Sequence, residues 1–155
     1  MKQKHIRHKL RFEGHELYKL ETFDVLKVPY YASNISAGFP SLADDYLDER
    51  INLNEFLVKN PADTYMLKVR GNSMEDANIK DGAILIIDRL LEPENGRIAV
   101  CYLENNFTVK TIRKREGRLF LEPANAAYPA IEVTEGMRLQ VLGVVTFIII
   151  KAEEQ

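Results

Sequence analysis

The stretch that decides the fold is TYMLKVRGNSMEDANIKDGAILIID, residues 64–88. Two apolar runs, TYMLKV and AILIID, flank a polar connection that collects Gly, Asn, Ser and Asp. Apolar runs of this length, bounded by turn-forming residues, are typical of β-strands. The stretch therefore predicts two strands, with Ser73 beginning a turn or short helix after the first of them.

The same pattern continues to residue 151. Further strand-like runs are RIAVCYL, FTVKTIRK, RLFLEP and MRLQVLGVVTFIIIK, separated by the turn signals PENG, ENN and REG. Turn signals about every eight to twelve residues fit an antiparallel, mostly β body, here from about residue 60 to 151. The last run does not alternate, which fits a strand, or two strands bent around Gly143, buried on both faces.

Ahead of the body the sequence changes character. NLNEFLVK, residues 52–59, predicts a short helix, because Asn52 or Asn54 can cap it and Pro61 follows its end. VPYYASNISAGFPSLADD, residues 28–45, lacks periodicity and collects Pro, Ser, Asn and Gly. We therefore expect a mostly β fold with a short helix and an extended, largely irregular N-terminal arm.

Charge is unevenly distributed over the 155 residues, which are enough for one domain with an appended arm. Residues 1–12 hold five Lys or Arg and no acidic residue. The remainder holds 16 basic and 23 acidic residues, a net charge of about −7. Because DNA-binding domains are usually basic, direct DNA binding by the body is disfavoured.

Cys101 is the single cysteine, and its place in the apolar run RIAVCYL predicts a buried small hydrophobe. One cysteine forms no internal disulfide, which suits a reducing compartment. The longest apolar run, residues 141–150, is too short to span a bilayer, and the basic N-terminus lacks the apolar region of a signal peptide. We expect a soluble, cytoplasmic protein.

Common catalytic and metal-binding patterns are missing from the body. All three histidines lie in the first fifteen residues, so a Ser-His or Cys-His pair would need the arm to supply its base. The sequence has no Cys/His spacing for zinc and no Gly-rich phosphate loop. We therefore expect neither a metal nor a cofactor.

Ser73 and Lys110, 37 residues apart, each allow two interpretations. Ser73 and Asp76 fit a capping box, and Lys110 fits the solvent face of a strand. Alternation, however, puts Lys110 on the same face as Thr108 and Ile112, where burial would favour loss of its proton. A neutral lysine can activate a serine hydroxyl as a nucleophile. The spacing alone leaves both interpretations open.

From about residue 38 to residue 151 the chain carries several motifs in order: AGFPS, NLNEFL, GNSMEDANIKDGAILIID, FTVKTI, LEPANAAY and VLGVV. Together they resemble the self-cleaving serine peptidase domain of the LexA/UmuD family, and the UmuD branch most closely. The resemblance implies a LexA/UmuD-type peptidase β-domain.

The resemblance also assigns roles. It makes Ser73 the nucleophile and Lys110 the general base, with the backbone amides of Asn72 and Ser73 forming the oxyanion hole. A turn at Gly71 would bring those amides close to the nucleophile. Ala37–Gly38 matches the scissile bond, although UmuD itself has cysteine where this chain and LexA-type proteins have alanine.

Cleavage of that bond would divide the chain into two segments. Residues 1–37 would be an arm removed by self-cleavage, and residues 38–155 the peptidase-like β-domain. The apolar run VVTFIII, residues 144–150, is either a dimer surface or the core of the domain.

In function, the resemblance implies a protein of the SOS response to DNA damage. A RecA–single-stranded-DNA filament would stimulate self-cleavage, and the trimmed homodimer would join a UmuC-like, Y-family polymerase subunit in error-prone translesion synthesis. One alternative is a LexA- or phage-type repressor, which needs a DNA-binding domain ahead of the arm. Others are a signal-peptidase-like enzyme, which normally works at a membrane, and a binding module without activity.

Overall fold

The structure is a computed structural model that describes residues 9–12, 15–19, 25, 27–30 and 49–152. These residues form two compact units. One comprises the described residues up to 19 together with those from Asn60 onward, and the other comprises residues 25, 27–30 and 49–59.

The secondary structure is almost entirely β. Strands β1 to β4 are Lys9–Phe12, His15–Lys19, Lys27–Tyr30 and Glu49–Asn52, and helix α1 is Leu53–Leu57. Strands β5 to β7 are Thr64–Lys68, Ile84–Asp88 and Ile98–Leu103, with a single 3₁₀ turn, Glu75–Ala77, between β5 and β6. Strands β8 to β11 are Asn106–Arg115, Arg118–Glu122, Ile131–Val133 and Leu139–Ile149. The predicted mostly β fold is confirmed.

One sheet of nine strands organises the first unit, in the order β1-β2-β5-β6-β11-β7-β8-β9-β10. Each neighbouring pair is antiparallel. This pattern agrees with the short turns between the predicted strands, because antiparallel neighbours need only a tight connection. The strands that flank Ser73, β5 and β6, are adjacent in the sheet.

Buried side chains lie on both faces of the sheet. Successive residues of a strand point to opposite faces, so Val100 belongs to one apolar cluster and its neighbours Ala99 and Cys101 to the other. Cys101 has no exposed surface, which confirms that it is a buried small hydrophobe. The sheet therefore carries a core on each side.

The apolar run near the C-terminus forms one strand, β11, between β6 and β7. Its register with β7 shifts between Val141 and Gly143, and a Cβ at Gly143 would lie 3.0 Å from the carbonyl oxygen of Asp88. Glycine thus permits the close approach of β6 at this irregularity. Burial on both faces holds only at Gly143 and Val144, because the rest of the strand is half-buried or exposed.

The prediction of an irregular arm is wrong for the N-terminal residues that the structure describes, because residues 9–12 and 15–19 form strands. Strands β1 and β2 pair with each other, and β2 continues the sheet at β5 through Tyr18 opposite Met66 and Lys19 opposite Tyr65. Pairing satisfies backbone groups that an edge strand would leave open. Two residues separate these strands in the sequence, which is a hairpin spacing that was not among the predicted elements. His15 begins β2 and accordingly belongs to the sheet.

In the second unit, β3 pairs with β4 and α1 follows directly. Asn52 is the N-cap, and its Oδ1 accepts a hydrogen bond from the Asn54 amide at 3.1 Å. The helix ends at Leu57, so it is shorter than the predicted helix at residues 52–59. None of its residues is buried. Most of the predicted arm, including Ala37–Gly38, lies outside the described residues.

Candidate active site

The turn that carries Ser73 begins at Gly71. Gly71 has a φ of 91°, in the left-handed region that glycine adopts without strain, and its amide donates to Asp81 Oδ1 at 2.7 Å. The chain then enters the 3₁₀ turn. The sharp bend predicted at Gly71 is confirmed.

The residues that follow the serine attach this turn to the core. Met74 and Ile79 form an isolated β-bridge, and the Ile79 amide donates to the Met74 carbonyl oxygen at 3.1 Å. Both side chains are buried, with 2% and 0% of their surface exposed. Ser73, which is half-buried, therefore lies next to a fixed anchor.

Ser73 does not cap the 3₁₀ turn. The cap residue is Met74, with no side-chain hydrogen bond, and the Asp76 amide that a capping serine would bind donates to the Ala124 carbonyl oxygen instead. The Ser73 Oγ accepts a hydrogen bond from Lys110 Nζ at 2.9 Å. The capping-box interpretation is wrong because tertiary contacts bind both groups that it would join.

Lys110 lies in β8, an interior strand between β7 and β9. Its predicted place on a strand is confirmed. Only 7% of its surface is exposed. On the same face, Ile112 is buried, and Ala99 lies opposite Lys110 in β7 with no exposed surface. The interpretation of Lys110 as a surface residue is therefore wrong.

Burial lowers the pKa of Lys110, because the charged ammonium loses hydration in this apolar setting. Cys101 acts on it in the opposite direction, but burial raises the pKa of the Cys101 thiol to about 11, so the thiol is neutral near pH 7. Within the described residues no carboxylate contributes to the pKa of Lys110. A lysine in this position can release its proton more easily than one in water.

Geometry and charge together define what the pair is able to do. Nζ contacts Ser73 Oγ at 2.9 Å and also donates to the Val109 carbonyl oxygen at 3.0 Å. The first contact is within the distance at which an amine exchanges a proton with a hydroxyl. A neutral amine here would accept the hydroxyl proton and leave a nucleophilic oxygen.

A loop after β9, residues 123–128, forms hydrogen bonds with the turn that carries Ser73, residues 71–79 (the serine turn). The Ala124 amide donates to the Ser73 carbonyl oxygen at 2.9 Å, and Asn125 Nδ2 donates to the Asn72 carbonyl oxygen at 2.9 Å. The Tyr128 hydroxyl donates to Asn72 Oδ1. The only sequence signal was the presence of LEPANAAY among the family motifs.

The structure thus brings together Ser73, Lys110 and Asn72, and does not describe Ala37 or Gly38. Neither the Asn72 amide nor the Ser73 amide donates to a backbone carbonyl in the part of the chain that the structure describes. Their assignment to an oxyanion hole stays a prediction.

The described residues offer neither a metal site nor a membrane-spanning helix. Among the described residues, no group of three or more His, Cys, Asp or Glu side chains is arranged to hold a metal ion. None of the helices in those residues is long and apolar enough to cross a membrane.

Comparison with known proteins gives consistent matches. Residues 29–146 match the family described as Peptidase S24-like. Protein MucA of Salmonella typhimurium is 41% identical over 128 residues, which are 82% of this chain and 87% of that protein. Protein ImpA of the same organism is 34% identical over 131 residues, 81% of this chain and 86% of that protein. The LexA repressor of Paracidovorax citrulli is 38% identical over 109 residues, 70% of this chain and 48% of the repressor.

Proposed function

The chain belongs to the Peptidase S24-like family, and on that premise we propose that it is a self-cleaving serine peptidase of the UmuD type. Ser73 is the nucleophile, Lys110 the general base and Ala37–Gly38 the bond that is cut. The observation that carries this proposal is the 2.9 Å contact between Lys110 Nζ and Ser73 Oγ, two groups 37 residues apart in the sequence.

The first step requires Lys110 in its neutral form. Nζ takes the proton of the Ser73 hydroxyl while Oγ bonds to the carbonyl carbon of Ala37, and the carbonyl electron pair moves onto the Ala37 oxygen. The lowered pKa of Lys110 supports this role, because a larger fraction of the amine is neutral at a given pH.

In the second step the tetrahedral intermediate collapses. The electron pair returns, the bond to the Gly38 nitrogen breaks, and the Lys110 ammonium gives its proton to that nitrogen. Ala37 is left as an ester on Ser73. Water then attacks the ester with Lys110 again as base, which yields the Ala37 carboxylate and restores the Ser73 hydroxyl.

The negative oxygen of the intermediate needs hydrogen-bond donors aimed at it. We assign this role to the backbone amides of Asn72 and Ser73. Support comes from the absence of backbone acceptors for both amides among the described residues. The bend at Gly71 brings these two peptide units next to the nucleophile.

In the cell, the protein acts in the cytoplasm as part of the SOS response to DNA damage. A RecA filament on single-stranded DNA stimulates the cut by favouring the pose in which the arm occupies the site. The trimmed protein, as a homodimer, serves as accessory subunit of a UmuC-like, Y-family translesion polymerase. The matches to MucA and ImpA, which extend over more of this chain than the match to the LexA repressor does, favour this function over the repressor alternative.

Intact mass spectrometry of the full chain tests the peptidase proposal. After incubation at raised pH, or with RecA filament at neutral pH, we expect two products that separate between residues 37 and 38. Ser73→Ala should give neither product. Fragments from Ser73→Ala, or only the full-length mass under every condition, would contradict the proposal.

A second variant tests the assigned bond. Gly38→Trp should block processing, because a cleft that accepts its own chain closely has no room for an indole next to the reacting carbonyl. Cutting of Gly38→Trp at the wild-type rate would show that the bond lies elsewhere. Sedimentation at micromolar concentration tests the homodimer, which a single 17.8 kDa species would contradict.

A further inference from the structure

The peptide unit between Asn72 and Ser73 has two polar groups, the Asn72 carbonyl and the Ser73 N–H, which point in opposite directions. None of the described peptide bonds is cis, and in a trans unit the Asn72 carbonyl points away from the Ser73 N–H. The Asn72 carbonyl oxygen accepts from Asn125 Nδ2 at 2.9 Å and from the Glu75 amide at 3.2 Å. Since the unit is planar, whatever holds the carbonyl also sets the direction of the Ser73 N–H.

The side chain of Asn125 is itself held in one orientation. Its Oδ1 accepts from the Ala127 amide at 2.9 Å, and its backbone carbonyl accepts from the Tyr128 amide at 3.1 Å. A backbone N–H only donates, so the oxygen of the Asn125 side chain must face Ala127 and its nitrogen must face Asn72. The donor to the Asn72 carbonyl is therefore preset by the loop.

Further hydrogen bonds hold the Asn72 side chain and the Ser73 carbonyl, on either side of this peptide unit. The Tyr128 hydroxyl donates to the Asn72 side chain, and the Ala124 amide donates to the Ser73 carbonyl oxygen at 2.9 Å. Ala124 also accepts from the Asp76 amide at 2.8 Å. The loop thus contacts the serine turn before, at and after the nucleophile, without contacting Ser73 Oγ.

We propose that Asn125 is a positioning residue that aims the Ser73 amide at the oxyanion, with Tyr128 as a weaker support through the Asn72 side chain. The inference rests on the proposed function, because it assumes that this amide stabilises the intermediate. Asn125 acts through the Asn72 carbonyl and has no contact with Lys110 Nζ, whose partners are Ser73 Oγ and the Val109 carbonyl.

The test compares the pH profile of self-cleavage in the wild type and in Asn125→Ala. We expect the plateau rate at high pH to fall roughly 10- to 100-fold, as for misplacement of a group in a preorganised site. The pH midpoint should stay in place, because the environment of Lys110 is unchanged. Tyr128→Phe should lower the plateau by less.

Asn106 offers a matched control. Its Nδ2 donates to the Glu104 carbonyl oxygen at 2.9 Å in the turn between β7 and β8, the same kind of bond away from Ser73. Asn106→Ala should leave the plateau and the midpoint unchanged. Asn125→Asp is the second variant: it keeps an acceptor for the Ala127 amide but loses the donor, so its plateau should fall at least as far.

A probe that does not depend on the arm separates positioning from docking. Diisopropyl fluorophosphate reacts at a serine Oγ with loss of fluoride, while the hydroxyl proton passes to the base. If Asn125 aims the amide, Asn125→Ala should slow this reaction and self-cleavage by similar factors.

Three results would overturn the inference: slower self-cleavage with normal probe reaction, a shifted pH midpoint in folded Asn125→Ala, or wild-type rates in both assays. Circular dichroism checks that each variant is folded. Failure of the proposed function is a different outcome, because Ser73→Ala would then still cut or still take up the probe.

Discussion

The serine turn, residues 71–79, and the lysine strand β8 are held by different kinds of interaction. Polar bonds from Asp81 and from the loop at residues 123–128 set the direction of Gly71 to Ser73, while buried Met74 and Ile79 attach the rest of the turn to the core. Apolar burial and backbone pairing on both sides hold Lys110. A nucleophile needs direction, which hydrogen bonds supply, whereas a lysine base needs a dry setting, which only a core supplies.

The two regions should therefore respond differently to substitution. In the proposed dyad of Ser73 and Lys110, changes in the turn should alter how fast Ser73 reacts once Lys110 is neutral, and changes around the lysine should alter the pH at which Lys110 becomes neutral. A variant in either region that altered both quantities would break the distinction.

The largest effect is expected from removal of either member of the pair. Ser73→Ala removes the nucleophile and Lys110→Ala the base, so each should abolish self-cleavage as measured by product formation on gels. Lys110→Arg should be inactive too, because arginine keeps its proton at any workable pH. Lys110→Ala should cost little stability, because it also removes a desolvated amine. Cleavage by folded Lys110→Ala would rule out the dyad.

The next largest effect is the pH dependence of the wild type. Burial lowers the pKa of Lys110 from its ordinary value of 10.5, and in the proposed mechanism only the neutral amine is active. The rate should therefore rise about tenfold per pH unit below the folded pKa and level off above it. A plateau reached near pH ~7 would instead match an unperturbed histidine. Time courses of self-cleavage at fixed ionic strength measure the profile.

Ile112→Ala sharpens the lysine side of the comparison. Ile112 is 2% exposed and shares the face of Lys110, so its truncation should lower the free energy of unfolding by about 2–5 kcal/mol and admit water near the amine. Better hydration raises the lysine pKa, which moves the midpoint of the rate profile to higher pH. Urea unfolding and the pH profile measure the two effects.

Ile87→Ala is the control for that change. Ile87 is 1% exposed and belongs to the other apolar cluster, so a similar loss of stability should leave the midpoint in place. If both variants shifted the midpoint equally, the shift would reflect general loosening and not the local setting of Lys110.

The smallest effect is expected at Gly71. Alanine there would meet no atom within 4 Å but would have to adopt a φ of 91°, which costs about 1–2 kcal/mol. Relaxation of that strain should tilt the turn and lower the plateau rate without moving the pH midpoint. Thermal unfolding and the rate profile give the two readouts.

Gly117→Ala provides the matched comparison. Gly117 has a φ of 74° and equally open surroundings in the turn between β8 and β9. Its substitution should cost similar stability and leave self-cleavage unchanged. An equal loss of rate in both variants would mean that stability, and not the shape of the serine turn, controls the reaction.

Part of the fold could be predicted from local signals. Apolar runs and turn residues predicted strands β5 to β9 and β11 but missed the three-residue strand β10, and Asn52 was one of two candidate caps for α1. The strands before α1 were missed because the sequence is short in apolar residues there. Among them, β2 pairs with β5, whose partner residues Tyr65 and Met66 lie far away in sequence from Lys19 and Tyr18, and no local pattern reveals such a pairing.

The sequence by itself determined the residue types available for chemistry: a serine in a turn that follows a glycine, a lysine on the same face of a strand as Thr108 and Ile112, and no histidine in the body after residue 59. It also predicted that Cys101 would be buried, since a lone cysteine in an apolar strand is usually a small buried hydrophobe. These properties are local, because they depend on spacing and side-chain chemistry within a few residues.

Only the tertiary structure decided between the two interpretations of Ser73 and Lys110. The pairing of β7 with β8 buries the amine, and the sheet order brings it to 2.9 Å from Ser73 Oγ. Likewise, only the folded chain gives Asn125 a contact with the turn, across 53 residues of sequence. Distances between remote groups follow from strand order and register, and these are set by packing of the whole core and not by any single stretch.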